Sequence, residues 1–113
     1  MSITIDERVE RIVKLLDEKK AENIEVFDLR DTDYIVKEVV IADSMGGKHT
    51  SALYDYMREI LKPFGEEFIS ADESDDWIVV DMGDILVHIM TPAYRRRYDL
   101  EEFLSTLGKD KED

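Results

Sequence analysis

Asp81, Asp84 and His88 stand close together in "DDWIVVDMGDILVHIMTP", residues 75–92, a few positions after the chain's one tryptophan, Trp77. Two neighbouring carboxylates can hold Mg²⁺ or divide acid and base work, provided they converge and have a perturbed pKa. Aspartate is also an ordinary residue of solvated turns, so Asp81 and Asp84 have a bland reading beside the chemical one. His49 and His88 are too few for a histidine-rich metal site, and no Ser/His/Asp or Cys/His grouping has a spacing that signals a nucleophile. The residues therefore imply no catalytic set, no metal and no cofactor, and His88 reads as a packed or interfacial histidine.

Two further stretches could bind anions. "GGKHT" at 46–50 resembles a phosphate loop, but the pattern G-x-x-x-x-G-K-[ST] needs Gly at 42 and Ser or Thr at 49, where Ala42 and His49 stand. Gly46-Gly47 then reads as a flexible turn into a helix, with Lys48 and His49 solvated. The same pair resembles the glycine turn of nucleotidyltransferases, whose metal sits on two or three nearby carboxylates; here Asp55 stands alone in a helix. Arg95-Arg96-Arg97 is the dense basic cluster of an acidic chain, able to grip a carboxylate or phosphate, or else a solvated charge run. Trp77 reads equally as a core anchor or as an interface hot spot.

The elements that must position these residues follow from periodicity. Thr4 to Glu7 has capping-box spacing, and Ile5, Val9, Ile12, Val13 and Leu16 form one stripe, which predicts a helix to about Ala21. Ile24–Leu29 alternates and Tyr34–Ala42 is rich in β-branched residues, so two strands follow. Leu53, Met57, Ile60, Leu61 and Phe64 predict a second helix from about Lys48 to Phe64, ended by Gly65. A strand in "EEFISAD" precedes a hairpin of Trp77–Asp81 and Asp84–Met90 across a Met82-Gly83 turn. That register pairs Val80 with Ile85 and Trp77 with His88, placing Ile78, Val80, Ile85, Val87 and Ile89 on a buried face. Trp77, Val79, Asp81, Asp84, Leu86, His88 and Met90 fall on an amphipathic, adhesive one. A short last helix starts near Tyr98. The expected fold is α+β, with mixed α/β layers: one mixed sheet packed with helices, residues 1–108 as a single domain and 109–113 as a polar tail.

Composition narrows the function. The chain has 113 residues and 43% hydrophobic content, the size of one domain with one core. The absence of cysteine suits a reducing compartment. No run has the length of a signal peptide or a membrane span, so the expectation is a soluble, unprocessed, cytoplasmic protein without a membrane partner. A net charge of −13 repels phosphate backbones and favours a basic protein as partner.

The motif from Trp77 to His88, "WIVVDMGDILVH", followed by Arg95 and "YDLE" at 98–101, resembles the ribosomal silencing factor family, also called the Iojap or RsfS family. That family's pattern reads W-[VIL]-[VIL]-[VIL]-D-Y-G-D-[VIL]-[VIL]-V-H…R…Y-D-L-E. Lys20-Ala21, Ile24 and Asp28 echo its upstream segment, so the likeness runs from about Val9 to Leu104. Met82 stands at the family's tyrosine, Leu104 at a tryptophan, Ser44-Met45-Gly46 at a Gly-Thr-Ser turn and Lys37 at an aspartate. The resemblance implies a nucleotidyltransferase-like fold without known catalysis. It also implies a translation repressor that binds the large ribosomal subunit through ribosomal protein number fourteen and blocks joining of the small subunit. On that reading Trp77, Asp81, Arg95, Tyr98 and Glu101 contact the partner, and His88 and Leu100 support them. A homodimer through the Trp77 face and direct RNA contact by Arg95–Arg97 remain open. The alternative is a nucleotidyltransferase-like enzyme using Asp81 and Asp84 with a divalent ion and a nucleotide.

Overall fold

Thr4 opens the first helix through a closed capping box: its hydroxyl accepts from the Glu7 N–H at 3.1 Å, while the Glu7 side chain accepts from the Thr4 backbone. The structure, a computed structural model, describes residues 4–112; residues 1–3 and 113, at the ends of the expected domain and tail, lie outside the described residues. Helix α1 spans Ile5–Glu18. It stops earlier than its apolar period suggests, because Lys20 turns left-handed (φ 75°) and the N–H groups of Lys20 and Ala21 cap Asp17 and Leu16.

Strand β1 (Glu22–Asp28) and strand β2 (Glu38–Asp43) are antiparallel. β2 is shorter than the run Tyr34–Ala42, since residues 29–37 form a loop turned by Thr32, whose hydroxyl donates to the Leu29 carbonyl at 2.7 Å. Helix α2 (Gly47–Leu61) starts at Gly46, whose φ of 146° is open to glycine, and passes through a 3₁₀ turn, Lys62–Phe64, to a left-handed Gly65. Strands β3 (Ser70–Glu73), β4 (Trp77–Asp81) and β5 (Ile85–Met90) follow, then α3 (Pro92–Tyr98) and α4 (Leu100–Glu112). The Arg95–Arg97 cluster is thus helical, and the last helix divides at a left-handed Asp99, with α4 beyond it.

The sheet order is β1-β2-β5-β4-β3, with β2 parallel to β5 and the other neighbours antiparallel. β2 and β5 are central and buried on both faces, which explains their nearly unbroken apolar sequences. The hairpin register differs from expectation. Met82 is buried in the core and pairs with Ile85, so the two-residue turn is Gly83-Asp84, and Trp77 lies opposite Met90 rather than His88. Moving the turn by one residue shifts each partner by two, so both faces keep their predicted members.

One face carries Val40, Ile78, Val80, Ile85, Val87 and Ile89 under α1 and α2. The second face is not the open surface that alternation suggests. Leu86 and Met90 pack with Val39, Ile41 and Leu104 beneath α4, and Trp77, Val79, Tyr94 and Leu100 flank this second core. The result is an α+β fold of one mixed sheet between two helical layers. No helix among the described residues is long and apolar enough to cross a membrane.

Candidate functional site

β4 and β5 bring Trp77 and His88 together on a diagonal. The indole Nε1–H donates to His88 Nδ1 at 3.1 Å, with ring centroids 5.9 Å apart. His88 is buried on a central strand, and burial pushes its pKa down to about 4, so the imidazole is neutral near pH 7 and can accept. The short helix α3 then delivers Tyr98 onto the indole, with centroids 5.0 Å apart and planes tilted by 41°. Tyr94, one turn earlier, backs Tyr98 at 5.8 Å.

Trp77 is half-buried and Tyr98 is 47% exposed. The pair therefore combines a rigid seat with an accessible aromatic face. Beside it, Asp72, Glu73, Ser74, Trp77 and Val79 line a recess of about 320 Å³, acidic at the β3 edge. An apolar floor next to carboxylates suits a Lys or Arg side chain from another protein.

Arg95 sits elsewhere in the architecture. Its guanidinium is buried, donating to Asp43 at 2.9 Å and Glu25 at 2.6 Å, with further bonds to Glu101 and the Asn23 carbonyl. Five fixed N–H donors let one arginine bind several acceptors at once, which lysine cannot reproduce. Arg95 thus ties α3 to β1, β2 and α4 and orients Glu101, which is half-buried beside it. Arg96 and Arg97 are the exposed members of the cluster, and the Arg97 guanidinium lies 5.7 Å above the Tyr98 ring.

Asp81 lies four residues along β4 from Trp77, about 13 Å at the rise of a strand. Its carboxylate accepts from the Gly83 N–H at 2.9 Å, whereas Asp84 reaches toward Arg8 at 3.9 Å. The two carboxylates thus serve different neighbours, and among the described residues no group of three His, Cys, Asp or Glu could hold a metal ion. His49 is not solvated as expected: Nδ1 accepts from the Met45 N–H at 2.9 Å and Nε2 faces the Lys19 carbonyl at 2.8 Å, joining the α2 start to the α1 end.

The structure therefore groups Trp77, His88 and Tyr98, packs Leu100 against the second core, joins Arg95 to Glu101, and leaves Asp81 at the turn. Sequence reasoning missed Tyr94, Asp72 and Asp43. The four-residue spacing of Tyr94 and Tyr98 was a usable signal once a helix is placed there; Asp43 and Asp72 carried none.

The profile described as "Ribosomal silencing factor during starvation" (RsfS) matches residues 2–113. The chain is 33% identical over 96 residues to a ribosomal silencing factor from Haemophilus influenzae, covering 83% of this chain and 94% of that protein. It is 29% identical over 103 residues to "Mitochondrial assembly of ribosomal large subunit protein 1" from mouse, of which it spans 43%. A crystal structure of a protein from Chromobacterium violaceum superimposes with a TM-score of 0.86 at 27% identity, covering 91% of this chain and 88% of that one. A family match along nearly the whole length, together with a shared overall fold, shows that this chain belongs to the ribosomal silencing factor family.

Proposed function

We propose that this protein binds the large ribosomal subunit in the cytoplasm and prevents the small subunit from joining it. Its docking surface is the Trp77–Tyr98 patch, and its partner there is ribosomal protein number fourteen. The observation that carries this reading is the half-exposed Tyr98 stacked on Trp77 beside an acidic recess, in a chain of net charge −13. Aromatic anchors with a polar rim are the usual energetic centre of an interface, and the acidic surroundings complement a basic protein.

Within this reading Trp77 and Tyr98 are the anchors, and Glu101 and Asp81 are charged contacts toward the edge. Arg95 acts through Glu101, which it positions, while His88 and Leu100 support the aromatic pair from beneath. Obstruction needs no chemistry, only an interface of roughly 1,200–2,000 Å² placed where the other subunit docks. The protein is read as a binding factor and not as an enzyme.

Gradient sedimentation of purified subunits tests this. Saturating protein should shift whole ribosomes toward free subunits, and Tyr98→Ala should lose the effect while remaining folded. Undiminished formation of whole ribosomes at saturating wild-type protein would defeat the proposal.

A further inference from the structure

On the face of the sheet opposite the Trp77–Tyr98 patch, a groove of about 900 Å³ runs between α1 and strand β1. β1 is an end strand, so its outer N–H and C=O groups have no strand partner among the described residues. Val13 on α1 and Ile24 on β1 are half-buried and Val26 is 44% exposed, together forming an apolar floor. Asp6, Glu10, Asp17 and Glu22 stand along the rim, with Lys14 as the opposing charge.

At the Asp6 end lies Glu38, only 3% exposed, whose Oε2 has no hydrogen-bond partner. Arg30, a cation whose charge acts on it, is already bound to Asp28 at 2.6 Å and to Asp6 at 3.3 Å. Burial, followed by the negative charge of Asp28, raises the Glu38 pKa above the ordinary carboxylate range. A buried carboxyl without a donor is costly unless a partner supplies one.

We infer that this groove docks an extended cationic segment of another protein, laid along the outer edge of β1 with Lys or Arg at alternate positions. The spacing fits. Asp6 and Glu10, four residues apart on α1, are separated by about 6 Å, close to the roughly 6.6 Å between alternate residues of a strand, and Asp17 lies two turns beyond Glu10, past Lys14. Side chains pointing to the α1 face of the sheet would lay their aliphatic stems over Val13 and Val26 and carry their charges to Asp6, Glu10 and Asp17. The cation nearest β2 supplies the donor that Glu38 lacks. An open sheet edge provides main-chain affinity, and the acidic rim selects the sign of the charge.

Fluorescence anisotropy with labelled Lys-Val-Lys-Val-Lys-Val-Lys, at about 150 mM salt, tests the proposal. Saturable binding is expected, and about tenfold weaker binding of Lys-Pro-Lys-Pro-Lys-Pro-Lys, which has the same charge but cannot extend a sheet. Glu10→Lys with Asp17→Lys should weaken the first peptide about tenfold, whereas the equally charged pair Glu59→Lys with Glu67→Lys, on exposed positions away from the groove, should change it less than about twofold. Glu38→Gln should weaken it about fivefold while the fold, judged by circular dichroism, is kept. Absence of saturable binding, equal affinity for the two peptides, equal weakening by the two double substitutions, or unchanged binding to Glu38→Gln each overturns the inference.

Discussion

The Trp77 indole N–H donates to His88 Nδ1 across a diagonal of the β4–β5 pair, with Val79 standing directly opposite His88. The bond requires a neutral imidazole with its proton on Nε2, and the buried position of His88 keeps it neutral. Structure and protonation are therefore linked beneath the aromatic patch.

His88 has a folded pKa of about 4 against an ordinary 6.5. A base whose pKa falls on folding binds fewer protons folded than unfolded, so its contribution is complete above pH 6.5 and is lost as pH falls toward 4. At about 1.4 kcal/mol per tenfold change in proton concentration, the loss is about 3 kcal/mol. Urea unfolding at pH 7 and pH 4 should show that much more destabilisation in wild type than in His88→Asn. Parallel losses in the two proteins would contradict the linkage.

Tyr98 separates binding from stability. Its ring is half exposed, so Tyr98→Ala should cost less than about 1 kcal/mol of stability. As an interface anchor it should nevertheless weaken large-subunit binding by about 2 kcal/mol, roughly thirtyfold. Thermal unfolding and a subunit-binding titration on the same preparation distinguish the two effects. Equal affinity for wild type and variant would remove Tyr98 from the interface.

Arg95→Ala should be among the costly substitutions of a charged residue, because it leaves Asp43, 5% exposed, buried without its guanidinium. Breaking such a pair costs about 3–5 kcal/mol. Adding Asp43→Asn should recover part of the loss by removing the stranded charge. Denaturant midpoints, at unchanged slope, provide the comparison. A cost under about 1 kcal/mol would show that water replaces the arginine freely.

Lys20 occupies the left-handed position that ends α1, where glycine pays no steric cost. Lys20→Gly should therefore stabilise the protein by about 1 kcal/mol, read as a rise in Tm. A fall in Tm would mean that the lysine makes a compensating contact.

Much of the fold was legible because it is locally encoded. The Thr4–Glu7 box, the stripe from Ile5 to Leu16 and the break at Gly65 depend on neighbours within a turn or two, and the helices begin and end near them. The aliphatic face of the hairpin survived an incorrect turn because its parity is preserved when the register moves by two. The C-terminal end of α1 and the turn itself were not legible: Lys20 carries no glycine signal, and Gly83 could serve either central position until the burial of Met82 selected one.

Sequence alone determined the type and order of most elements, which faces are apolar, the acidic character of the chain and, through the motif from Trp77 to Glu101, its family. Tertiary structure decided which candidates act outward. It folded α4 over the second face, left Tyr98 exposed on Trp77, and turned Arg95 inward to Asp43, 52 positions away, and to Glu25, 70 positions away. Contacts over such separations follow no helical or strand period; they exist only because chain crossings of the sheet bring distant side chains to one place.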